Sequence, residues 1–218
     1  NSPLSRELLL KNLLHQKSVC FDTETTSLDA LQADLVGIAF SWEESKGYYL
    51  ALPEDREETS TILNFFKPFF EHRGIEKIGH NLKYDLKVLK NYEINVNAPI
   101  FDTMIAHYLV NPDMRHNMDV LAETYLDYSP QSITELIGKK GVSQGTMREV
   151  PLEKQTEYAV EDADITFQLK HYFENEMQAA NTLELYQKVE LPLVKVLTEM
   201  ECQGINLDVS FLENLSKG

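Results

Sequence analysis

The chain has 218 residues, and its hydrophobic content of 43% is typical of a soluble globular protein and excludes a largely disordered chain. It has 35 acidic and 20 basic residues, and its net charge of −15 argues against the broad basic surface with which proteins commonly hold nucleic-acid backbones. No apolar run reaches the roughly 18 residues that a membrane-spanning helix requires, and the amino terminus has no signal-peptide pattern. We therefore expect a cytoplasmic monomer with no membrane partner.

The hydrophobic pattern alternates between strand-like and helix-like segments along the chain. Short runs of β-branched and aromatic residues predict strands, and apolar residues at intervals of three and four predict helices. In chain order the predicted elements are a helix at 5–16, strands at 18–24, 35–40 and 48–52, a helix near 59–72, a strand at 75–79, a helix around residue 85, a strand near 99–101, and helices to about residue 177. This order predicts an α/β fold with a mixed five-stranded sheet flanked by helices.

The pattern changes after residue 180. Residues 183–201 predict one long amphipathic helix, residues 204–208 a turn with a short strand, and Asp208 is suited to cap a further helix. We therefore divide the chain into a domain at 1–180 and a helical carboxyl-terminal extension at 181–218, which would begin another domain. Because the chain lacks an initial methionine and stops inside a predicted helix, we expect it to be a piece of a larger protein.

Two predicted elements carry acidic side chains whose directions follow from their spacing. Asp22 and Glu24 belong to the first predicted strand, and residues two apart in a strand project from the same side. In the helix around residue 85, Asp85 falls on the apolar face. That face is formed with Leu82, Leu86 and Leu89.

A tyrosine and a fourth carboxylate lie together on a later helix. Tyr158 and Asp162 are four residues apart within a proline-started helical stretch at 152–174, so they stack one turn above the other. The apolar stripe that contains them continues through Ile165, Leu169 and Tyr172. Asp162 is therefore expected to face inward with the Tyr158 hydroxyl beside it.

Several carboxylates facing one interior require compensation. Burying one ionised carboxylate costs several kcal/mol, and a second charge nearby raises the pKa of both groups. A hard divalent ion with oxygen ligands removes both penalties, and magnesium suits an all-carboxylate site better than zinc does. Ions in pairs typically serve displacement at phosphorus. The pattern therefore favours metal-assisted phosphodiester cleavage.

Other polar residues receive structural interpretations. Asp102 stands where a helix cap belongs, and Glu161 and Asp164 fall off the apolar stripe and are predicted to be solvated. No histidine has a partner at metal-ligand spacing, so ordinary hydrogen bonding is predicted for His80, His107 and His116. Lys139 and Lys140 are equally compatible with phosphate contacts and with a solvated loop.

Three segments together resemble one known family. They are residues 21–28 (FDTETTSL), 80–85 (HNLKYD) and 158–162 (YAVED). In this order and spacing they resemble the three motifs of the proofreading 3′–5′ exonuclease domain of bacterial, family A DNA polymerase I, a DEDD-type exonuclease with tyrosine on a ribonuclease H-like fold. The extension also resembles the segment that leads into that family's polymerase domain, so the resemblance covers nearly the whole chain.

The resemblance implies roles for individual residues. Asp22, Glu24 and Asp162 would hold the ion that activates water, Asp22 would bridge to a second ion, and Asp85 would support that second ion through water. Tyr158 would orient the attacking water. The substrate-binding residues implied are Thr23, Leu28 against the terminal bases, Asn81 near the scissile end, and Tyr84.

These roles predict an enzyme that removes nucleoside monophosphates from the 3′ end of single-stranded or frayed DNA, with two Mg²⁺ ions or, alternatively, Mn²⁺. The expected partners are a DNA 3′ end and a covalently linked polymerase domain. Two alternatives stay open. One is an RNA-processing exonuclease of the ribonuclease D type, which has the same acids and tyrosine, and the other is a catalytically silent structural domain of the polymerase.

Overall fold

The computed structural model describes residues 2–139, 141 and 144–217. The strands are β1 (Ser18–Thr25), β2 (Leu35–Glu43), β3 (Lys46–Ala51), β4 (Glu76–Gly79) and β5 (Ile100–Asp102). The α-helices are α1 (Pro3–Leu14), α2 (Arg56–Phe70), α3 (Leu82–Lys90), α4 (Thr103–Val110), α5 (Met118–Tyr125), α6 (Ile133–Ile137), α7 (Leu152–Ala179), α8 (Leu183–Leu185), α9 (Leu191–Gln203) and α10 (Val209–Ser216). None of the described helices combines the length and apolar composition needed to cross a bilayer.

The described strands form one mixed sheet in the order β3-β2-β1-β4-β5. The first three strands are antiparallel to one another, whereas β4 and β5 run parallel to β1. Parallel neighbours need a crossover connection, and α2 and α3 supply them before β4 and β5. The predicted mixed five-stranded sheet flanked by helices is confirmed, with β1 at its centre.

Each face of the sheet carries its own hydrophobic core. On one face, Phe21 packs edge-to-face on Phe70 of α2, and the same core continues toward α1 and α3. On the other face, Cys20 lies in a core with Ala159 and Ala163 of α7. Small side chains on α7 let this helix approach the sheet closely, and α7 packs across β1, β2 and β3. Residues that alternate along β1 therefore face α3 or α7.

The structure differs from the prediction at the start of α2 and at residues 204–208. Helix α2 begins at Arg56 rather than near residue 59, because the Asp55 carboxylate caps it by accepting a hydrogen bond from the Glu58 backbone amide (2.8 Å). The predicted short strand at 204–208 was wrong, since these residues are irregular and the described sheet does not include them. Asp208 caps α10 as predicted, accepting from the Phe211 amide.

The predicted long helix after residue 182 contains a wider turn. Residues 183–203 are helical throughout, but Tyr186–Glu190 forms a π-helical segment between α8 and α9. Pro192 has no backbone N–H, and its ring crowds the carbonyl four residues before it. This accounts for the loss of regular α-helical bonding just before α9.

Candidate active site

Strand β1 directs Asp22 and Glu24 toward α7. Cys20 lies in the core that contains α7, and residues two and four positions later project to the same side of the strand. Glu24 is buried, with 7% of its surface exposed, and Asp22 is intermediate. The prediction that these two carboxylates point together is confirmed.

Helix α7 brings a third carboxylate to the same place. Asp162 is 5% exposed and lies one turn after Tyr158, as its spacing predicted. Along the rest of the stripe, Ile165 and Leu169 are buried, but Tyr172 is 37% exposed and the prediction that it faces inward was wrong. The buried face of α7 continues instead through Phe173 and Met177, and the Tyr172 ring lies beside Tyr125 of α5.

Three carboxylates converge from these two elements. Asp22, Glu24 and Asp162 each offer an oxygen, and these oxygens all lie within 4.8 Å of one another. One of the two oxygens of Glu24, Oε1, is buried without a hydrogen-bond partner. An unpartnered buried carboxylate oxygen is costly, and three converging carboxylates are the ligand type that hard divalent cations prefer. The residues present therefore fit a bound divalent cation.

Asp85 approaches from the opposite face of β1. It is 3% exposed, and its Oδ1 accepts hydrogen bonds from the Thr23 hydroxyl (2.5 Å) and the Thr23 backbone amide (3.2 Å). Asp85 is not part of the three-carboxylate group that the described residues form. Thr23 thus fixes Asp85, a contact that the sequence did not suggest, and its predicted role in substrate binding stays a prediction.

The four carboxyl groups are costly to ionise together. Burial raises the pKa of Asp22 to about 6. Burial also raises the pKa of Glu24 and of Asp162, and the charge of Asp22 raises both further. For Asp85, burial and then the Asp22 charge raise the pKa, while the hydrogen bonds from Thr23 lower it. A cation among these groups would favour their ionised forms.

Tyr158 stays protonated in this surrounding. Burial raises the pKa of its hydroxyl well above the usual value near 10, and the neighbouring Asp162 charge raises it further. The hydroxyl and the Asp162 carboxyl interact directly, which in turn lowers the pKa of Asp162. Tyr158 is therefore a hydrogen-bond donor at neutral pH and not a base.

The loop after β1 carries Leu28 and is held by Tyr84. The Tyr84 hydroxyl donates to the Ser27 carbonyl (2.5 Å) and lies 2.5 Å from the Thr25 hydroxyl. Leu28 is 84% exposed beside this anchor. An exposed leucine on a fixed loop is suited to contact a ligand. The substrate-binding roles of Leu28 and Tyr84 stay predictions, and the Tyr84 hydroxyl is already engaged by the protein.

Asn81 stands exposed at the start of α3, in the left-handed conformation (φ 63°), and its side chain makes no capping hydrogen bond. Asp102 replaces it as the cap. The Asp102 carboxylate accepts from the Asn81 and Leu82 amides and also from the Met104 and Ile105 amides at the start of α4. The prediction that Asp102 is a helix cap is confirmed, and it caps two helices rather than one.

Other acidic residues have partners that the sequence did not reveal. Glu161 and Asp164 were predicted to be solvated, which was wrong. Glu161 accepts from the Tyr128 hydroxyl and the Gln131 amide, whereas Asp164 accepts from the Ser45 amide in the β2–β3 turn. Both carboxylates fasten loops onto α7.

The structural interpretation of the histidines holds. His80 Nδ1 lies 2.9 Å from the Thr103 hydroxyl, and His107 contacts His116 and Tyr125. Lys139 is exposed, and Lys140 lies outside the described residues.

Tyr49 lies close to the carboxylates, and its contact with Gln155 was missed by sequence reasoning. The Tyr49 hydroxyl donates to Gln155 Oε1 (3.1 Å), and burial and then the charge of Glu24 raise its pKa. Its ring crosses β2 over Gly37, where a Cβ atom would lie 2.1 Å from the Tyr49 oxygen. Gly37 pairs with Glu24 across the sheet, so a tyrosine ring that lies over Gly37 comes close to Glu24. A glycine inside an apolar strand was the available signal.

Comparison with known proteins agrees with this geometry. The 3′–5′ exonuclease family matches residues 5–178 of the chain. The chain belongs to this 3′–5′ exonuclease family. It is a hydrolytic nuclease domain homologous to the proofreading domains of DNA polymerase I, and members of the family typically use divalent metal ions. The family resemblance of the three motifs is thereby confirmed.

Relatives of this exonuclease domain are named DNA polymerase I. The protein of Borreliella burgdorferi is 37% identical over 208 residues, which are 94% of this chain and 22% of that protein. The protein of Pseudomonas aeruginosa is 34% identical, over 93% of this chain and 23% of that protein. The chain thus spans about a fifth of the length of these relatives.

Solved structures show the same fold for this exonuclease domain. The polymerase domain of Pol1 from M. smegmatis, in complex with DNA primer-template and dNTP, matches with a TM-score of 0.79 at 20% identity, covering 100% of this chain and 34% of that one. NrnC of Brucella melitensis with bound Mg²⁺ matches with a TM-score of 0.71 at 21% identity, covering 87% of each chain. The predicted ribonuclease H-like α/β fold is confirmed.

Proposed function

We propose that this chain is the proofreading exonuclease of a DNA polymerase I. It would remove nucleoside monophosphates from the 3′ end of single-stranded or frayed DNA, by hydrolysis with two divalent ions, Mg²⁺ or, alternatively, Mn²⁺. The observation that carries the proposal is the convergence of Asp22, Glu24 and Asp162 within 4.8 Å, with a buried Glu24 oxygen left without a partner.

The residues have distinct roles in this proposal. Asp22, Glu24 and Asp162 would hold one ion, Asp22 would also contribute to a second, and Asp85 would support that second ion through water. When bound, such ions supply positive charge that activates water and stabilises the phosphate as its bond to the leaving oxygen breaks. The protein then needs no covalent nucleophile. Cys20, the cysteine nearest Asp22 in sequence, is buried, and burial raises the pKa of its thiol.

Substrate contacts follow from exposure. Leu28 would pack against the terminal bases, Asn81 would contact the strand near the scissile phosphate, and Thr23 and Tyr84 would support substrate binding indirectly. Both Leu28 and Asn81 are exposed, which supports the proposal. The hydroxyls of Thr23 and Tyr84 are bonded within the protein, so their contribution is to fix Asp85 and the Leu28 loop.

The larger assembly is also a proposal. Residues 1–180 would form the exonuclease domain and residues 181–218 the start of a linked polymerase domain, in keeping with the family match that ends at residue 178. A net charge of −15 leaves the isolated chain with little electrostatic attraction to DNA. The polymerase domain would supply a basic channel and deliver the strand end. A cytoplasmic location and a monomeric state stay predictions.

Tyr158 is expected to orient the attacking water through its hydroxyl group. Tyr158→Phe keeps the ring and all four carboxylates, so metal binding should persist while the cleavage rate falls on the order of 100-fold through misplacement of the water. Single-turnover cleavage and Mn²⁺ titration by calorimetry check both parts. Tyr128→Phe is the matched control, because its hydroxyl contacts Glu161 on the same helix. Full activity in Tyr158→Phe would contradict this role.

Strand selectivity tests the proposal against its RNA-processing alternative. The 5′-labelled DNA and RNA strands of one sequence are incubated with the chain in Mg²⁺, Mn²⁺ or chelator. We expect a metal-dependent ladder that shortens from the 3′ end, faster on DNA. Faster cleavage of RNA would favour the ribonuclease D type. No ladder, together with no metal binding by calorimetry, would favour a structural domain.

A further inference from the structure

Tyr186 links the carboxyl-terminal extension to the edge of the sheet. It lies in the π-helical segment between α8 and α9, is 1% exposed, and packs its ring against Phe101 (5.1 Å between centroids). Its hydroxyl accepts from the Asp102 backbone amide (2.7 Å) and donates to the Asp102 carbonyl (3.0 Å). The hydroxyl therefore both accepts from and donates to the backbone of one residue of β5, Asp102.

That residue organises the start of α3. The Asp102 carboxylate accepts from the Leu82 amide (2.8 Å) and the Asn81 amide (3.3 Å). Asn81 has a positive φ, a conformation that persists only where its surroundings fix it. One turn later, α3 presents Asp85, so Asp102 caps the helix that carries Asp85.

The extension contacts α3 at a second point. Glu201 of α9 pairs with Lys83 (2.6 Å) and Lys87 (2.7 Å), the residues two positions before and after Asp85. These pairs are partly exposed, and such pairs contribute little to stability. They connect α9 to the turns of α3 on either side of Asp85. The extension thus holds α3 at its start through Tyr186 and Asp102, and along its length through Glu201.

We propose that Tyr186 is a positioning residue of the exonuclease site, which acts through Asp102 to fix α3 and thereby Asp85. The extension at 181–218 is then part of the exonuclease machinery and not only a connection to another domain. A different interpretation is purely structural, since β5 is an edge strand whose free backbone groups need partners. The proposal rests on the role proposed above for Asp85 in holding a metal ion.

Tyr186→Phe separates the two interpretations in the whole 218-residue chain. It removes the hydroxyl and keeps the ring against Phe101. If Asp85 is displaced, Mn²⁺ affinity by calorimetry should weaken roughly tenfold, the usual effect of losing a group that orients a metal ligand. Cleavage of labelled DNA should slow at low Mg²⁺ and recover as Mg²⁺ is raised. Tyr125→Phe, which removes a hydroxyl that contacts His107, is the matched control.

Two results would overturn the proposal. One is a Tyr186→Phe protein with unchanged Mn²⁺ affinity and unchanged Mg²⁺ dependence. The other is a loss of activity that only parallels a fall in melting temperature and does not recover with Mg²⁺.

A second variant keeps the proposal testable if Tyr186→Phe does not fold. Glu201→Gln then replaces it, with a smaller change expected in the same direction, and unchanged Mn²⁺ affinity in Glu201→Gln would also overturn the proposal. If the unaltered chain cleaves nothing, the proposed function fails, while Mn²⁺ affinity still decides the role of Tyr186.

Discussion

Asp22→Ala is expected to abolish 3′–5′ exonuclease activity while leaving the fold intact. Asp22 is the carboxylate whose charge raises the pKa of Glu24, Asp85 and Asp162 alike, so it lies near all three. Removing it forfeits several kcal/mol of charge stabilisation at the reacting phosphate, which corresponds to a rate loss of roughly 1000-fold or more. Cleavage of 5′-labelled single-stranded DNA in saturating Mg²⁺ measures the loss.

The same substitution should stabilise the metal-free chain. A carboxylate with a pKa of about 6 is ionised at pH 7 only at a cost of about 3 kcal/mol relative to an ordinary aspartate. Alanine removes this cost and the repulsion on three neighbours. A higher melting temperature in chelator, together with lost activity, would separate a catalytic defect from a folding defect.

Asp113→Ala, at an exposed position, is the charge-matched control. Retained Mg²⁺-dependent activity in Asp22→Ala would contradict the proposed role of Asp22 in catalysis.

Magnesium is expected to raise the melting temperature of the chain, and more so at higher pH. At a concentration 100 times its dissociation constant, a ligand of the folded state stabilises by about 2.7 kcal/mol. For a chain of this length that is about 5–10 °C. The melting temperature is measured with Mg²⁺ and with chelator, by calorimetry or circular dichroism, between about pH 7 and pH 5.

The raised carboxyl pKa values explain why the stabilisation by Mg²⁺ should increase with pH. The folded-state pKa of Asp22, about 6, lies above its unfolded value, so in chelator its contribution to stability is lost as the pH rises through 6. Bound Mg²⁺ requires the ionised form and offsets that loss. Near pH 5, protons compete with Mg²⁺ for the Asp22 carboxylate about tenfold more strongly than at pH 7. The rise in melting temperature caused by Mg²⁺ should therefore fall by roughly half.

Two histidines change the stability with pH in the opposite direction to Asp22. The melting temperatures with and without Mg²⁺ must therefore be subtracted at each pH. Burial lowers the pKa of His80 and of His107 to about 4, so their contribution to stability is lost as the pH falls below the unfolded value near 6.5. This loss occurs with and without Mg²⁺ and cancels in the increment. An increment that does not change with pH, or that persists in Asp22→Ala, would show that Mg²⁺ binds elsewhere.

Local periodicity predicted much of this site. Asp22 and Glu24 are two apart in a strand, and Tyr158 and Asp162 are four apart in a helix, so each pair shares a face whatever the rest of the chain does. The burial of Asp85 followed in the same way from its apolar neighbours on α3. Such inferences require only the geometry of one element.

Contacts between distant segments were beyond the sequence pattern. Thr23 and Asp85 are 62 residues apart, and Tyr49 and Gln155 are 106 apart. No periodicity relates such positions, because their meeting depends on how β1, α3 and α7 pack. The predicted solvation of Glu161 and Asp164 was wrong for the same reason, since the loops that bond to them come from elsewhere in the chain.

The sequence by itself determined which residue types share a face of their element, namely several carboxylates and a tyrosine, a set of oxygen donors that suits a hard divalent cation. Tertiary structure alone decided that Asp22, Glu24 and Asp162 meet within 4.8 Å while Asp85 stands on the other side of β1, held by Thr23. It alone also placed the Asp102 carboxylate at the start of α3 and the Tyr186 hydroxyl against the Asp102 backbone. The physical reason is that side-chain direction is set within one element, whereas distances between side chains are set by the packing of several.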